Sequence, residues 1–217
     1  MGLRTTTWLL AAGLLLHAPS ARAELLITEW QYNGSEYIEF TNMSSSPLDT
    51  AGWSFDDDSR TPDTVDLSPF GIVQPGESVI LAEADAAEFR LEWNLPASLK
   101  VIGGNTTNFG RDDEINVFDA ADNLVDRLNY GDNAADTNGS IRTQNISGNP
   151  ISPAALGTNN VFQWTLSTVG DRYGSYTSLN GFIGNPGVYA DAVVVPEPIS
   201  LLLLLSAFGA VLGRRQR

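Results

Sequence analysis

The chain has 217 residues, and its formal net charge is −14. All 26 acidic residues but only seven of the 12 basic ones lie between residues 24 and 197, a net of −19 there, which argues against nucleic acid or an anionic membrane surface as a partner. There is no cysteine, and the one histidine, His17, sits near the start, so beyond it there is no material for thiol or Ser-His-Asp catalysis or for Cys- or His-ligated metal.

Residues 1–23 are expected to be a signal peptide. Arg4 is followed by the apolar stretch Trp8 to Leu16, and Ala21-Arg22-Ala23 fits an A-x-A cleavage site. The expected mature start is Glu24; the other reading is a short buried helix. Strand patterns follow. Leu25, Ile27 and Trp30 mark a first strand and Asn33-Gly34 a hairpin turn. Tyr37 to Thr41 alternates, with Ile38 and Phe40 on one face. Gly52 to Phe55 is a third candidate strand, and Gln74-Pro75-Gly76-Glu77 turns into a fourth at Ser78 to Leu81. Ala86, Phe89 and Trp93 share a helical face, with Asp85 placed to cap. Glu114 to Phe118 and Leu124 to Tyr130 form a second hairpin around Asp119–Asn123. Short strands, frequent turn residues and one small helix predict an all-β sandwich. The expected core includes Trp53, Phe40, Ile38, Val79, Leu81, Ile115, Val117 and Leu128.

These stretches resemble the lamin-tail domain, an immunoglobulin-like sandwich. The matching pieces are Ile27 to Gly34, Glu36 to Asn42, Leu48 to Trp53, Pro75 to Leu81, Asp113 to Asp119, Val125 to Tyr130 and the closing Gly184-Asn185-Pro186-Gly187. The resemblance implies a domain over residues 24–189 that is a non-catalytic module for binding or scaffolding. Residues 132–177 depart most from the pattern.

Carboxylates are the remaining candidates for chemistry. Glu29 and Glu39 read as structural groups bonding backbone at strand ends. Asp126 shares an alternating face with Leu124, Leu128 and Tyr130, so an inward face would bury it and require a partner for it. The loop 54–66 concentrates Asp56, Asp57, Asp58, Asp63 and Asp66, oxygen ligands of the kind weak calcium sites use, although Arg60 breaks an EF-hand spacing. Asp112–Glu114 could join it, although the cluster Arg111-Asp112-Asp113-Glu114 also reads as an exposed turn before a strand. A solvated acidic loop is the plainer reading. No other cofactor is expected.

After a linker at 190–195 the chain reads Pro196-Glu197-Pro198, an apolar run at 199–213, then Arg214, Arg215 and Arg217. A fifteen-residue helix is ~22 Å long, a minimal transmembrane span if the arginines snorkel. The arginines would hold its end in the cytoplasm, leaving the preceding domain outside. The segment 196–217 resembles the PEP-CTERM sorting signal of exopolysaccharide-making Gram-negative bacteria. The resemblance implies processing by an exosortase-type membrane protease, a precursor in the inner membrane and a mature protein at the cell surface or in the extracellular matrix. An ordinary tail anchor is the alternative. The expected function is a non-enzymatic surface or exopolysaccharide-associated protein, binding polysaccharide or other surface proteins; the alternative is a carboxylate-based hydrolase of extracellular polymer.

Overall fold

The computed structural model describes residues 25–192. Its strands are β1 Leu25–Gln31, β2 Tyr37–Asn42, β3 Leu48–Asp49, β4 Ser54–Asp56, β5 Val65–Asp66, β6 Ile72–Val73 and β7 Ser78–Ala82. Beyond the helix α1, Ala86–Glu92, come β8 Val101–Ile102, β9 Asp112–Phe118, β10 Leu124–Gly131, β11 Gly148–Pro150, β12 Trp164–Leu166, β13 Tyr176–Thr177 and β14 Ile183–Gly184. They form a six-stranded sheet, β12-β11-β1-β2-β7-β8, and a four-stranded sheet, β10-β9-β4-β5. Two small ribbons, β13-β14 and β3-β6, complete the set.

The turns act as their sequences imply. Gly34 takes φ +99°, open to glycine but strained for other residues, and returns β1 onto β2. Between β9 and β10, Asp119 Oδ1 accepts from the amides of Ala121 (2.8 Å) and Asn123 (3.0 Å), an Asx-type turn. The inner faces of the two sheets supply the main core, in which Ile27, Trp30, Ile38, Phe40, Val79 and Leu81 meet Phe55, Ile115, Val117, Leu128 and Tyr130. All eight core residues expected from the sequence are buried. The mostly-β architecture is that of an immunoglobulin-like sandwich.

Two bulges change the alternation. In β1 the register shifts between Ile27 and Glu29, so Thr28 is an extra residue. Without it Glu29 would share the inner face with Ile27; with it Trp30 does, and Glu29 turns outward. In β10 the shift lies between Leu124 and Asp126. Leu124 therefore leaves the inner face expected for it and is half exposed, while Asp126 stays buried.

The outer face of the six-stranded sheet is also covered. Phe89 and Trp93 pack on Tyr37, Ile80 and Ala82 in a second apolar cluster. The helix begins where the sequence places it, but Asp85, at the N-cap, makes no side-chain capping bond. Residues 132–177, patchy in sequence, contribute β11 and β12, which extend the large sheet beyond β1.

Candidate functional site

The remainder of that outer face is polar. Glu29 and Glu39 stand directly opposite each other on β1 and β2, both with no exposed surface. Thr28, Thr41 and Ser78 form a hydroxyl chain beside Glu39: Thr28 Oγ1 donates to Glu39 Oε1 at 2.7 Å, and the Thr28–Thr41 and Thr41–Ser78 oxygens are each 2.8 Å apart. Ser147 bonds Glu29 Oε1, and Asn149 reaches Ser167 and Asn185, each at 2.8 Å.

The turn after β14 roofs this layer. Asn185 N donates to Glu29 Oε1 at 2.8 Å, and Gly187 N donates to Glu39 Oε2 at 2.6 Å. The two carboxyls thus hold the closing turn through its backbone, over sequence separations of 156 and 148 residues. Gly184 leaves no room for a side chain: a Cβ there would stand 2.5 Å from Tyr37 Oη and 3.0 Å from both Glu29 Oε1 and Ser147 Oγ. Burial raises the pKa of Glu29, and the neighbouring charge of Glu39 raises it further; burial likewise raises that of Glu39. The pair titrates as a unit, because charging one member makes charging the other costlier.

Three other carboxyls have internal roles. Asp126 Oδ2 accepts from Ile27 N at 2.9 Å, tying the four-stranded sheet to the bulged strand of the other. Glu36, pushed up to about 7 chiefly by burial, accepts from Phe109 N at 3.1 Å. Burial alone would raise the pKa of Glu114, but the guanidiniums of Arg60 and Arg127 outweigh it and hold it at about 2. Arg60 grips Glu114 through two bonds, of 2.6 and 2.5 Å.

The acidic loop is divided among different tasks. Asp56 is buried and accepts from Ser59 Oγ and Thr61 N, both at 2.6 Å. Asp66 accepts from Ser68 N at 2.8 Å, and Asp63 takes a left-handed backbone with φ +65°. Carboxylate oxygens of Asp57 and Asp58 instead lie within 4.8 Å of one another and of Asp113. Of the five aspartates considered for calcium, two meet, and the third carboxylate comes from β9. Calcium takes six to eight oxygens, more than three carboxylates making one contact each would offer.

The family model for the Lamin Tail Domain matches residues 18–132, just over half of the chain. The chain belongs to the lamin-tail domain family. No curated protein matches it. The lamin-tail match ends at the close of β10, yet β11 pairs with β1 and the roof over Glu29 and Glu39 comes from residues 185–187. Segments beyond the matched region are therefore integrated into the lamin-tail sheet. Such immunoglobulin-like modules serve structure and binding.

Ala21 and Ala23, the linker beyond residue 192, Pro196-Glu197-Pro198, the apolar run 199–213 and Arg214, Arg215 and Arg217 lie outside the described residues. Among the described residues no helix is long and apolar enough to cross a membrane. The sequence singled out Glu29, Glu39 and the Gly184–Gly187 turn, but separately. Ser147 and Asn149 gave no signal of their own, because their partners lie on segments remote in sequence.

Proposed function

We propose that this lamin-tail protein is an exported, non-enzymatic component of the cell surface or extracellular matrix. The observation that carries the non-enzymatic half is the placement of Glu29, Glu39 and Asp126. Each is buried, and each accepts hydrogen bonds from the backbone of another segment. A hydrolase using two carboxyls needs them facing a substrate across a cleft, whereas Glu29 and Glu39 are sealed beneath a turn.

The export half is supported by the sequence at the two ends: the A-x-A site closing at Ala23, and Pro196-Glu197-Pro198 followed by an apolar run and three arginines. On this reading a signal peptidase removes residues 1–23, and an exosortase-type protease of a Gram-negative inner membrane processes the tail. The domain then associates with exopolysaccharide or with other surface proteins. The strong negative charge suits a soluble external module. Fractionation of the native cells with intact-mass measurement tests this. The expected product begins at Glu24, ends near Pro196–Pro198 and is found at the surface or in the matrix. Full-length mass held in the inner membrane would refute the export half.

A further inference from the structure

We propose that a small polar hollow beside the edge strand β10 is a binding site for a neutral saccharide unit, lined by Asn129, Asp136, Thr137, Asn159, Asn160 and Phe162. This deepens the exopolysaccharide-associated reading and rests on it for the source of the sugar.

Three separate segments build the hollow, and the fold fixes all of them. Asn129 belongs to β10, Asp136 and Thr137 to the loop that follows it, and Asn159 to Phe162 to the short turn of helix Val161–Gln163 and its approach. Val161 anchors that turn in the main core. Asn129 N donates to Asn159 Oδ1 at 2.7 Å, Asn129 Nδ2 donates to Asp136 Oδ2 at 2.8 Å, and Asn160 Oδ1 accepts from Phe162 N at 3.2 Å. Asn159 itself has φ +49°, a conformation asparagine tolerates better than most residues. The polar groups are thus held in place before any ligand arrives, which lowers the cost of binding.

Bonding capacity is left over. Thr137 is 5% exposed, and its Oγ1 is buried with no partner in the fold. Only the side-chain oxygens of Asn159 and Asn160 are engaged in these internal bonds, leaving amide donors for a ligand. Phe162, 56% exposed, is the only aromatic among the exposed large hydrophobics of the described residues, and it lies at this hollow.

This chemistry selects the ligand class. Neither Lys nor Arg lines the hollow and Asp136 is acidic, so a phosphate, sulfate or uronate is disfavoured. An extended peptide adding to the edge of β10 is blocked at Asn129, whose N–H already bonds Asn159. A neutral sugar offers closely spaced hydroxyls that both donate and accept, together with a C–H face for the ring of Phe162.

The test is affinity electrophoresis of the full-length chain in a polyoxyethylene detergent, which carries no sugar headgroup. Native gels are cast with dextran, galactomannan or xylan, or with alginate as the charged control, and mobility is referred to a gel without polymer. The expected result is retardation by at least one neutral polymer. Phe162→Ala and Thr137→Val should each weaken it by about threefold or more, with no loss of melting temperature for Thr137→Val, since its hydroxyl bonds nothing in the fold. No retardation by any of the three neutral polymers, retardation by alginate alone, or equal retardation of the variants would overturn the site. Surface location without retardation removes the site and leaves the export reading standing. Retardation by a protein found only in the inner membrane does the reverse.

Discussion

Glu29 and Glu39 face each other across β1 and β2 with no solvent contact, and each accepts a backbone hydrogen bond from the turn that closes the domain. Two like-charged groups in one dry layer cannot both ionise cheaply. Stability should therefore respond to pH in the direction opposite to that of a salt-bridged carboxylate. The folded state holds protons that the unfolded state releases above the ordinary value of 4.5. Stability is full below that value and falls as pH rises through the elevated folded range, with Glu36, at about 7, adding to the loss. The melting temperature should drop by several degrees between about pH 5.5 and pH 9. Glu29→Gln, which keeps an acceptor oxygen for Asn185 and Ser147, should flatten that slope. A melting profile that rises toward pH 9 would contradict it.

Glu114 should act with the opposite sign. Its folded pKa, near 2, lies below the ordinary 4.5, so its stabilisation is present above 4.5 and is lost as pH falls toward 2. Glu114→Gln should lower the melting temperature by a few degrees at pH 6 and by less at pH 3, because at pH 3 the carboxyl is already protonated in the unfolded wild type while still ionised in the fold, so part of its stabilisation is gone. Thermal melts of both proteins at the two pH values decide this.

Gly184→Ala should destabilise the roof. The added methyl would sit 2.5 Å from Tyr37 Oη and 3.0 Å from Glu29 Oε1, inside a packed layer with little slack. Overpacking of this kind costs about 1–3 kcal/mol. Hydrogen exchange at Asn185 and Gly187 should speed up more than exchange at the hairpin of β9 and β10.

Leu81, 1% exposed in β7, lies in the core between the sheets. Leu81→Ala should cost about 2–5 kcal/mol. At roughly 2–4 °C per kcal/mol for a domain of this size, calorimetry should show a fall of about 4–20 °C.

Asp57, Asp58 and Asp113 bring three carboxylates together, and Arg60 is near enough to feel the charge of Asp58. Burial first, then neighbouring aspartates, raise the pKa of Asp57 and of Asp113. Relieving that repulsion with Asp58→Asn should raise the melting temperature slightly at low salt and do nothing at 1 M salt. If the trio holds calcium, wild type at 10 mM Ca²⁺ gains more than at matched Mg²⁺, and the excess disappears in Asp58→Asn. Equal shifts with both metals reduce the effect to screening.

The sequence by itself determined the local pieces. Alternation in Tyr37–Thr41 and Glu114–Phe118, the turn at Asn33-Gly34 and the helical spacing of Phe89 and Trp93 reflect interactions within a few residues, and each appears in the structure. The family resemblance over the strands was legible for the same reason. Tertiary structure decided which way the carboxylates face and what meets them. One extra residue, Thr28, turns Glu29 away from the core, and alternation cannot show where a bulge will form. The roof over Glu29 and Glu39 arrives from 156 and 148 residues away, and Asp113 and Arg60 meet their partners across separate strands and loops. β11 and β12 are only three residues long and come from a segment rich in Asn, Ser and Gly. Pairing of β11 with β1 and of β12 with β11 makes them strands, because so short a segment gains enough hydrogen bonding and burial to offset its entropy only when docked on a sheet already formed.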